Sequence, residues 1–358
     1  MATEVLKLGL VIPTFKQGGM ERVMSELADH WSENNQCISL IFLVDHEPFY
    51  KINDKIQNVF WPNFTYNPNV LSKLGYKIRL FFHLRKVYKE SGINTLLSFG
   101  EGYNAFVILS TIGTDIKVYV SDRSNPLKKV SFSRHIFRKV LYPRSRGILV
   151  QTSLSKQELF KKTKHPNLIL MPNPVKIIPR EEVPKENIIV NVGRLVPEKD
   201  QITLIRIFDK IDNEGWKLEI IGEGPLTTVL EKEIAERNLE EKVKLLGSKK
   251  NLSPHLSKAK IFAFTSISEG YPNALCEAMA FPLPCISFDC DAGPRDVIDD
   301  GVNGYLIEKG NTELYKEKLL KLMNDNAIRD LFMANSAKLG KEQSTEVIAQ
   351  KILNHLND

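Results

Sequence analysis

The sequence predicts a two-domain α/β protein in which parallel sheets are covered by helices on both faces. Three observations support this fold class. Short apolar runs alternate with stretches of helical periodicity along the chain, as in folds built from strand–helix–strand units. A proline-rich stretch near the middle, Pro172, Pro174, Pro179 and Pro184, interrupts that alternation. The length of 358 residues also fits two domains better than one.

The first half of the chain, residues 1–175, is predicted to form one domain. Short, β-branched runs bounded by polar residues predict buried strands at Leu8–Pro13, Ile38–Val44, Thr95–Phe99, Lys117–Val120 and Gly147–Gln151. Helical spacing between them predicts helices at 20–33, 71–90, 103–111 and 126–142. The proline-rich stretch then predicts a linker at 176–186.

The second half repeats the pattern and predicts a domain at 187–342, with a cleft between the two. Strands are predicted at Asn187–Val192, Lys217–Ile221, Val243–Leu246, Ile261–Phe264 and Cys285–Phe288. Helices are predicted at 200–213, 225–238, 272–281, 294–299 and 312–323. A last helix within 343–358 could pack on either domain. Ligands of such sheets bind at the carboxyl ends of the strands, so the loops there hold the candidate residues.

Composition narrows the class of protein. The hydrophobic share of 42% and the charged share of 26% exclude a disordered or fibrous chain. The four cysteines form no CxxC pair, so neither a zinc site nor a disulfide framework is indicated. No signal peptide and no apolar run of about 18 residues is evident, which predicts a cytoplasmic protein that can still lie on the inner face of the membrane.

Three loops after predicted strands have the chemistry of an anion site. Gly18 and Gly19 open a helix, where backbone N–H groups can approach a ligand; a plain tight turn is the alternative. Arg194 and Lys199 share one strand-to-helix loop, and a guanidinium with an ammonium suits a diphosphate. A third loop carries glycines that allow a ring or ribose near the backbone, or that simply form a turn: Gly222 and Gly224.

The most specific segment runs from Ser266 to Ala280. Glu269 leaves a strand on a loop, Gly270 permits a strained turn, and a helix begins with free N–H groups that suit phosphate. Glu277 lies further along this helix and could accept hydrogen bonds from ribose hydroxyls. An ordinary helix start would explain the proline alone. It would not explain the combination of residues in the loop and at the helix start, which is Gly270, Tyr271, Pro272, Asn273, Ala274 and Leu275.

Together these motifs resemble the GT4 family of retaining glycosyltransferases, which have the GT-B fold of two Rossmann-like domains facing a cleft. The resemblance rests on Glu269-x7-Glu277, on the loop with Arg194 and Lys199, and on Gly18-Gly19-x-Glu-Arg, and it spans nearly the whole chain. It implies that Arg194 and Lys199 hold the diphosphate of a nucleotide-sugar. It also implies that Glu269 contacts the donor sugar, that Glu277 contacts the ribose, and that the Gly18-Gly19 loop closes over the donor.

The acceptor side matches the family pattern less well. A cleft histidine that the family often has is missing after the strand Thr95–Phe99, and neither His46 nor His83 obviously replaces it. The acceptor-side candidates are Glu101, Asp122 and Arg123. A DxD spacing at Asp289–Asp291 mimics a metal motif of another glycosyltransferase fold, but the family needs no metal at that position. We therefore expect a loop there, no metal and no cofactor, since the nucleotide-sugar is a substrate.

Charge is distributed unevenly and bears on the partners. Residues 1–178 hold 25 basic against 13 acidic residues, a net charge of +12, whereas residues 179–358 carry −6. Segments 71–89 and 126–146 combine basic and apolar residues without an acidic one, which suggests an anionic membrane surface or a lipid-linked diphosphate acceptor. A solvated helix with a core-facing apolar side is the alternative for each. No nucleic-acid-binding signature is present.

The residues and the resemblance thus predict a retaining, metal-independent hexosyltransferase. Its expected donor is a UDP-sugar such as UDP-GlcNAc, UDP-GalNAc, UDP-Gal or UDP-Glc. Its expected acceptor is a hydroxyl of a polyprenyl-diphosphate-linked glycan in the synthesis of bacterial surface polysaccharide, O-antigen or capsule. Two alternatives remain open: a GT-B-like sugar-nucleotide epimerase, and a non-catalytic protein that binds a nucleotide or a glycan.

Overall fold

The computed structural model describes residues 5–16, 18–64, 70–128 and 130–357. The chain falls into two compact units. The first unit comprises Met1–Pro174 together with Thr345–Asp358, and the second comprises Val175–Ser344. The C-terminal helix, whose docking the sequence leaves open, therefore belongs to the first unit.

The first unit contains a seven-stranded parallel sheet, counted over the described residues. Its strands are β1 (Lys7–Ile12), β2 (Cys37–Phe42), β3 (Asn58–Phe60), β4 (Thr95–Phe99), β5 (Lys117–Asp122), β6 (Gly147–Val150) and β7 (Leu168–Leu170). Their order in the sheet is β3-β2-β1-β4-β5-β6-β7. Register is in step between β1 and its neighbours, since Leu8 pairs with Ile38 on one side and Thr95 on the other.

Helices cover both faces of this sheet. They are α1 (Gly19–Glu33), α2 (Val70–Ser91), α3 (Glu101–Thr111), α4 (Phe132–Leu141), α5 (Ser153–Thr163) and the C-terminal helix, which closes the chain at Thr345–Asn357. The C-terminal helix packs against α1, where the indole N–H of Trp31 donates to the carbonyl oxygen of Ala349 (3.3 Å). On the other face, α2 packs against α3, and α3 against α4.

The second unit contains a six-stranded parallel sheet within the described residues. In chain order its strands are β8 (Ile188–Val192), β9 (Lys217–Ile221), β10 (Val243–Leu245), β11 (Ile261–Phe264), β12 (Cys285–Asp289) and β13 (Tyr305–Glu308). Its helices are α6 (Gln201–Asp209), α7 (Thr227–Glu236), α8 (Ser253–Lys258), α9 (Asn273–Ala280), α10 (Thr312–Asn324) and α11 (Asn326–Glu342), and the C-terminal helix is then α12. The strand order is β10-β9-β8-β11-β12-β13.

The strand order determines where a ligand can bind in each unit. In the second unit, the chain leaves β8 toward β9 on one side and leaves β11 toward β12 on the other. The two loops therefore separate and open a crevice at the carboxyl ends of these strands, the usual ligand position in open α/β sheets. The same relationship holds for β1 and β4 in the first unit.

Some predicted elements differ from the structure. The helix predicted at 126–142 begins only at Phe132, because the side chain of Asn125 accepts a hydrogen bond from Leu127 N (2.8 Å) and makes a turn with Pro126. The helix predicted at 294–299 is a single 3-10 turn. Six short or polar elements were not predicted: β3, β7, β13, α5, α8 and α11.

The segment predicted as a linker, 176–186, lies within the second unit and is bound to α8. Glu181 N donates to Ser257 Oγ (2.9 Å), and Glu186 N donates to Lys258 O (2.8 Å). The Lys185 ammonium donates to the carbonyl oxygen of Ala259 (2.7 Å). These bonds replace helix or strand pairing, which the prolines prevent.

Candidate active site

The crevice of the second unit contains an ion pair between the loops that follow β8 and β11. Lys199 Nζ lies 2.5 Å from Glu269 Oε1, and the Glu269 side chain is 8% exposed. The ammonium also lies over the ring of Phe264, 5.4 Å from its centroid. Seventy positions separate the two residues, so the ion pair exists only because β8 and β11 are neighbours in the sheet.

Arg194 lies on the same loop as Lys199 but is exposed. Its carbonyl oxygen accepts a hydrogen bond from the buried Gln201 side chain (3.1 Å), which fixes the backbone of the loop. Its guanidinium makes no ion pair with any residue that the structure describes. A loop with a fixed backbone and a guanidinium outside any described ion pair is suited to bind an anionic ligand.

The glycines at 222 and 224 let two loops pack closely. A Cβ atom on Gly222 would lie 1.9 Å from the carbonyl oxygen of Gly193, and one on Gly224 would lie 2.3 Å from that of Leu195. Leu195 N also donates to Glu223 O (2.9 Å). The two glycines therefore support the loop that carries Arg194 and Lys199, and the donor contact predicted for them stays a prediction.

The segment that opens α9 differs in detail from its prediction. Gly270 does not have a positive φ, so the strained turn predicted there is wrong; the left-handed glycine nearby is Gly293, with a φ of 102°. A Cβ atom at Gly293 would lie 2.3 Å from Pro272 Cδ, so this glycine makes room for the start of α9. Pro272 is the N-cap of α9, and Ala274 lies in the first turn of the helix.

The side chain of Tyr271 points into the protein core. Its ring is buried, and its hydroxyl donates to Gln343 Oε1 (2.8 Å) near the end of α11. Burial raises the pKa of this phenol well above its ordinary value. Tyr271 therefore anchors the loop, and a donor contact by its side chain, as the sequence suggested, does not fit this orientation.

The first turn of α9 presents backbone N–H groups, as predicted for Asn273–Leu275, with one difference. Asn273 N already donates to Tyr271 O (3.0 Å), whereas the first bond along the helix is from Cys276 N to Pro272 O (3.0 Å). The N–H groups between them belong to Ala274 and Leu275, and they precede the regular helical bonds. Glu277 is buried on the next turn of α9. This helix start is suited to an anion.

The two aspartates of the DxD spacing, at the end of β12, are neutralised by cations. Asp289 accepts two hydrogen bonds from Arg295, at 3.0 and 2.8 Å, and Asp291 pairs with Lys309 at 2.9 Å. Over the described part of the chain, no group of three or more His, Cys, Asp or Glu side chains could hold a metal ion. Asp289 is the last residue of β12 rather than part of a loop, and both carboxylates are engaged by basic side chains of the second unit.

In the first unit, α1 begins at Gly19, directly after the crevice loop of β1. The carboxylate of Glu21 is folded back over Gly18, where a Cβ atom would lie 2.2 Å from Glu21 Oε2. Burial raises the pKa of this carboxyl. Tyr50 also contacts the turn, since its hydroxyl donates to Gly18 O (3.0 Å). The end of the Glu21 side chain thus occupies the space beside Gly18, and the predicted donor contact of Gly18 and Gly19 stays untested.

The acceptor-side candidates are engaged with other residues of the first unit. Arg138 Nη2 lies 2.5 Å from Asp122 Oδ2 and 3.0 Å from Glu101 Oε1, and all three side chains are largely buried. Burial raises the pKa of Asp122 although Arg138 opposes the change. The guanidinium of Arg123 stacks on Phe99, 3.8 Å from the ring centroid, and its Nη1 donates to Asn173. These groups shape the carboxyl ends of β4 and β5.

His46, considered and set aside in the sequence, has both ring nitrogens engaged by the backbone. Its Nδ1 donates to Val44 O (2.8 Å), and its Nε2 accepts a hydrogen bond from Phe15 N (2.5 Å). His46 therefore holds the loop after β1.

Two residues of the site were missed in the sequence. Arg138 resembles its exposed neighbours Arg134 and Lys139, and only its burial in the structure separates it from them. Thr265 follows β11 directly and is fully buried beside the Lys199 loop. Its place at the end of an apolar strand, four residues before Glu269, is the signal that could have identified it.

Comparison with known proteins agrees with this architecture. Residues 176–339 match the family model of the glycosyl transferases group 1. The structure of Anabaena HepE in complex with UDP superposes with a TM-score of 0.83 at 16% identity, covering 98% of this chain and 99% of that one. The structure of TarM from S. aureus, in a complex that includes UDP, gives 0.80 at 18% identity, covering 99% and 100%.

The chain has the GT-B fold, and together with the match over residues 176–339 this supports the class that the resemblance predicted, a GT-B glycosyltransferase. Two of its relatives are bacterial glycosyltransferases. An alpha-1,4-N-acetyl-D-galactosaminyltransferase of Campylobacter jejuni, named for a diNAcBac-PP-undecaprenol-linked acceptor, is 27% identical and covers 94% of each chain. The amylovoran biosynthesis glycosyltransferase AmsD of Erwinia amylovora is 25% identical and covers 95% of this chain and 96% of its own.

Proposed function

We propose that the protein transfers a hexose or N-acetylhexosamine from a UDP-sugar to a hydroxyl of a polyprenyl-diphosphate-linked glycan, with retention of the anomeric configuration. The observation that carries the proposal is the crevice between β8 and β11. There Arg194, the Lys199–Glu269 pair and the start of α9 lie on adjoining loops. The UDP complexes of HepE and TarM, proteins of the same fold, support the choice of nucleotide.

The role of the cations follows from the charge that develops during transfer. When the bond to the donor sugar breaks, negative charge grows on the leaving diphosphate. Arg194 and Lys199 would neutralise it, together with the N–H groups of Ala274 and Leu275. Positive groups that are fixed before the reaction stabilise such charge without reorganising. The bonds that hold the Arg194 backbone and the Lys199 ammonium provide that fixation.

Glu269 has two roles in this proposal. Its carboxylate holds Lys199, and it would accept hydrogen bonds from hydroxyls of the donor sugar. Because it is a buried anion, it would also favour the positive charge that forms at the anomeric carbon. Glu277, which lies on the second turn of α9, would accept hydrogen bonds from the ribose hydroxyls. The proposed transfer requires no metal ion, because these cations and N–H groups would neutralise the negative charge of the diphosphate.

Support for a lipid-linked acceptor comes from the relatives. A second Campylobacter jejuni enzyme, a 4-alpha-N-acetylgalactosaminyltransferase named for a diphospho-undecaprenol acceptor, is 26% identical and covers 98% of this chain and 99% of its own. An acceptor of this kind has its glycan in water and its lipid in the membrane. The enzyme must therefore work at the surface of a membrane, and the first unit would face it.

Helix α4 gives this membrane proposal its strongest support. Most of its apolar side chains are on the outside, with Phe132 80% exposed and Phe137 54% exposed, whereas Leu141 and the charged Arg138 are buried. A core-facing apolar side therefore does not account for most of the apolar residues of α4. Ile136 and Val140 extend the same exposed apolar surface. Nothing in the described part of the chain is a helix long and apolar enough to span a bilayer.

Helix α2 adds a second surface of the same composition. Leu74, Ile78 and Phe82 follow one another at intervals of four residues and are all exposed. The exposed cations of the two segments are Lys73, Lys77, Arg79, Lys86, Lys89, Lys128, Arg134, Lys139, Arg144 and Arg146, while Lys129 lies outside the described residues. Apolar insertion with basic charge suits an anionic bilayer, where each cation contributes about 1 kcal/mol.

The proposal can be tested with purified protein. UDP- and GDP-sugars would be screened for thermal stabilisation, and the stabilising donor would then be assayed with a polyprenyl-diphosphate-linked disaccharide. NMR of the new linkage gives its configuration, and an excess of EDTA tests the need for metal. Transfer with an inverted configuration would reject the retaining mechanism. Turnover of the donor without acceptor would indicate an epimerase, and stabilisation without turnover would indicate a binding protein.

A further inference from the structure

Thr265 joins the two loops that carry the proposed diphosphate site. It is fully buried at the end of β11, and its hydroxyl lies 3.3 Å from the carbonyl oxygen of Lys199 and 3.1 Å from that of Asp200. We propose that Thr265 is a positioning residue, whose hydroxyl fixes Lys199 for binding of the donor diphosphate. This inference rests on the function proposed above and identifies what holds its cation in place.

The first support is that one segment holds Lys199 at both ends. Thr265 binds the Lys199 carbonyl, and Glu269 binds the ammonium at 2.5 Å. Between these ends the aliphatic part of Lys199 runs along Gly193, where an added Cβ atom would lie 3.6 Å from Lys199 Cδ. The direction of the ammonium thus depends on where Thr265 holds the backbone.

The second support is the backbone of Asp200. Its φ of 47° and ψ of 45° lie in the left-handed region, which residues other than glycine enter at a cost. This conformation ends the 3-10 turn Pro197–Lys199 and begins α6. The Thr265 hydroxyl shares its one hydrogen between the carbonyl oxygens on both sides of that change in direction. It is therefore placed to hold the turn in the conformation that directs Lys199 into the crevice.

A second hydrogen bond joins the two loops, so the Thr265 hydroxyl can be removed without separating them. Ile267 N donates to the carbonyl oxygen of Glu198 at 2.9 Å, a bond that does not involve a side chain. The loops should therefore stay together when the Thr265 hydroxyl is removed. Thr265→Val keeps the shape of the side chain and leaves two carbonyl oxygens with one partner fewer, so it should shift Lys199 without unfolding the unit.

The experiment compares Thr265→Val with Thr265→Ser, which keeps the hydroxyl. Binding of UDP is measured by calorimetry, and kcat and KM are measured for the UDP-sugar and the acceptor. For Val we expect UDP affinity and kcat/KM for the donor to fall about tenfold, with the acceptor KM unchanged. For Ser we expect recovery to within about threefold of the wild type. Thr163→Val is the matched control, because that buried hydroxyl binds Leu159 O (2.7 Å) in the first unit.

Each other result overturns the inference. A Val variant with wild-type UDP affinity and kcat/KM would show that the hydroxyl does not position Lys199. A Val variant that fails to fold, or equal losses in Val and Ser, would assign Thr265 to stability or packing alone. If the wild type neither binds UDP nor transfers sugar, the proposed function fails and this inference with it. Wild-type transfer with an unaffected Val variant rejects the inference alone.

Discussion

Asp122 and Arg138 form a buried ion pair, with 2.5 Å between Asp122 Oδ2 and Arg138 Nη2, beneath the carboxyl ends of β4 and β5. Glu101 joins the same guanidinium at 3.0 Å. The single Arg138 guanidinium thus pairs with two carboxylates. Removing the cation should be costly, because two buried anions would then face each other without compensation.

We therefore expect Arg138→Met to lower the free energy of unfolding of the first unit by about 3 kcal/mol. Urea unfolding at pH 7 measures the change. Lys139→Met, on the exposed neighbour in the same helix, serves as the control and should alter stability by less than about 0.5 kcal/mol. Equal stability of the two variants would show that the buried pair contributes nothing net.

Removal of either member of the Lys199–Glu269 pair should affect the chemistry more than the fold. We expect Lys199→Met and Glu269→Gln each to reduce sugar transfer by about 100-fold or more, since each loses a preorganised charge. Initial rates with donor and acceptor at saturation provide the measurement. Lys250→Met, on an exposed lysine, should keep full activity. Transfer within threefold of the wild type in both site variants would refute the site assignment.

A methyl group at Gly222 should damage the loop that carries Arg194. The added Cβ atom would lie 1.9 Å from Gly193 O, and the φ of 154° is unfavourable for alanine. We expect Gly222→Ala to lower the free energy of unfolding of the second unit by about 3 kcal/mol. Gly102→Ala, at an open position in α3, should have little effect. Thermal unfolding distinguishes the two, and an unchanged melting temperature for Gly222→Ala would contradict the packing described above.

The stability of the second unit should depend on pH through Glu233. Hydrogen bonds from Arg206 (2.7 and 3.0 Å) and from Arg237 (2.7 Å) lower the pKa of this carboxyl from 4.5 to about 2. Because the folded pKa is the lower one, the ionised form stabilises the fold above pH 4.5. This contribution is lost as the pH falls toward 2.

We expect Glu233→Gln to be less stable than the wild type by about 1 kcal/mol at pH 7, because water screens the pairs. The difference should shrink steadily between pH 4.5 and pH 2. Urea unfolding at pH 7, 4.5 and 3 measures it, with the exposed Glu231→Gln as control. A difference that does not change with pH would show that the ionised carboxylate is not its source.

Membrane binding should depend on the exposed rings of α2 and α4. We expect Phe82→Ser and Phe132→Ser to reduce flotation with phosphatidylglycerol vesicles severalfold, without lowering the melting temperature, because both rings are exposed. Phe160→Ser removes an exposed ring from α5 and should float like the wild type. Flotation should weaken in high salt and be poor with phosphatidylcholine. Equal flotation with both lipids would reject the proposed anionic surface.

Much of the fold was predictable because its elements have strong local patterns. For the apolar strands β1, β8 and β11, the predicted first and last residues agree with the observed ones to within one or two positions. Since parallel strands place their carboxyl ends together, the loops with Lys199 and Glu269 could be expected to meet. Short edge strands such as β3 and β7, each of three residues, carry too little pattern to be recognised.

The remainder depends on tertiary contacts that one sequence does not encode locally. Arg138 is a buried cation only because Glu101 and Asp122 come from two other strand ends. Tyr271 turns inward because Gln343, 72 positions away, binds its hydroxyl. Local residue patterns contain no information about either partner, so the sequence groups Arg138 with the other basic residues of 126–146 and predicts a donor contact for Tyr271.

The return of α12 to the first unit affects the order in which the chain can fold. The second unit is continuous, Val175–Ser344, whereas the first is complete only when Thr345–Asp358 joins it. During synthesis, the surface of α1 around Trp31 must wait until α12 has been synthesised. The unit translated first would thus be the last to reach its native state. Until then its apolar α1 surface would be open to chaperones or to aggregation.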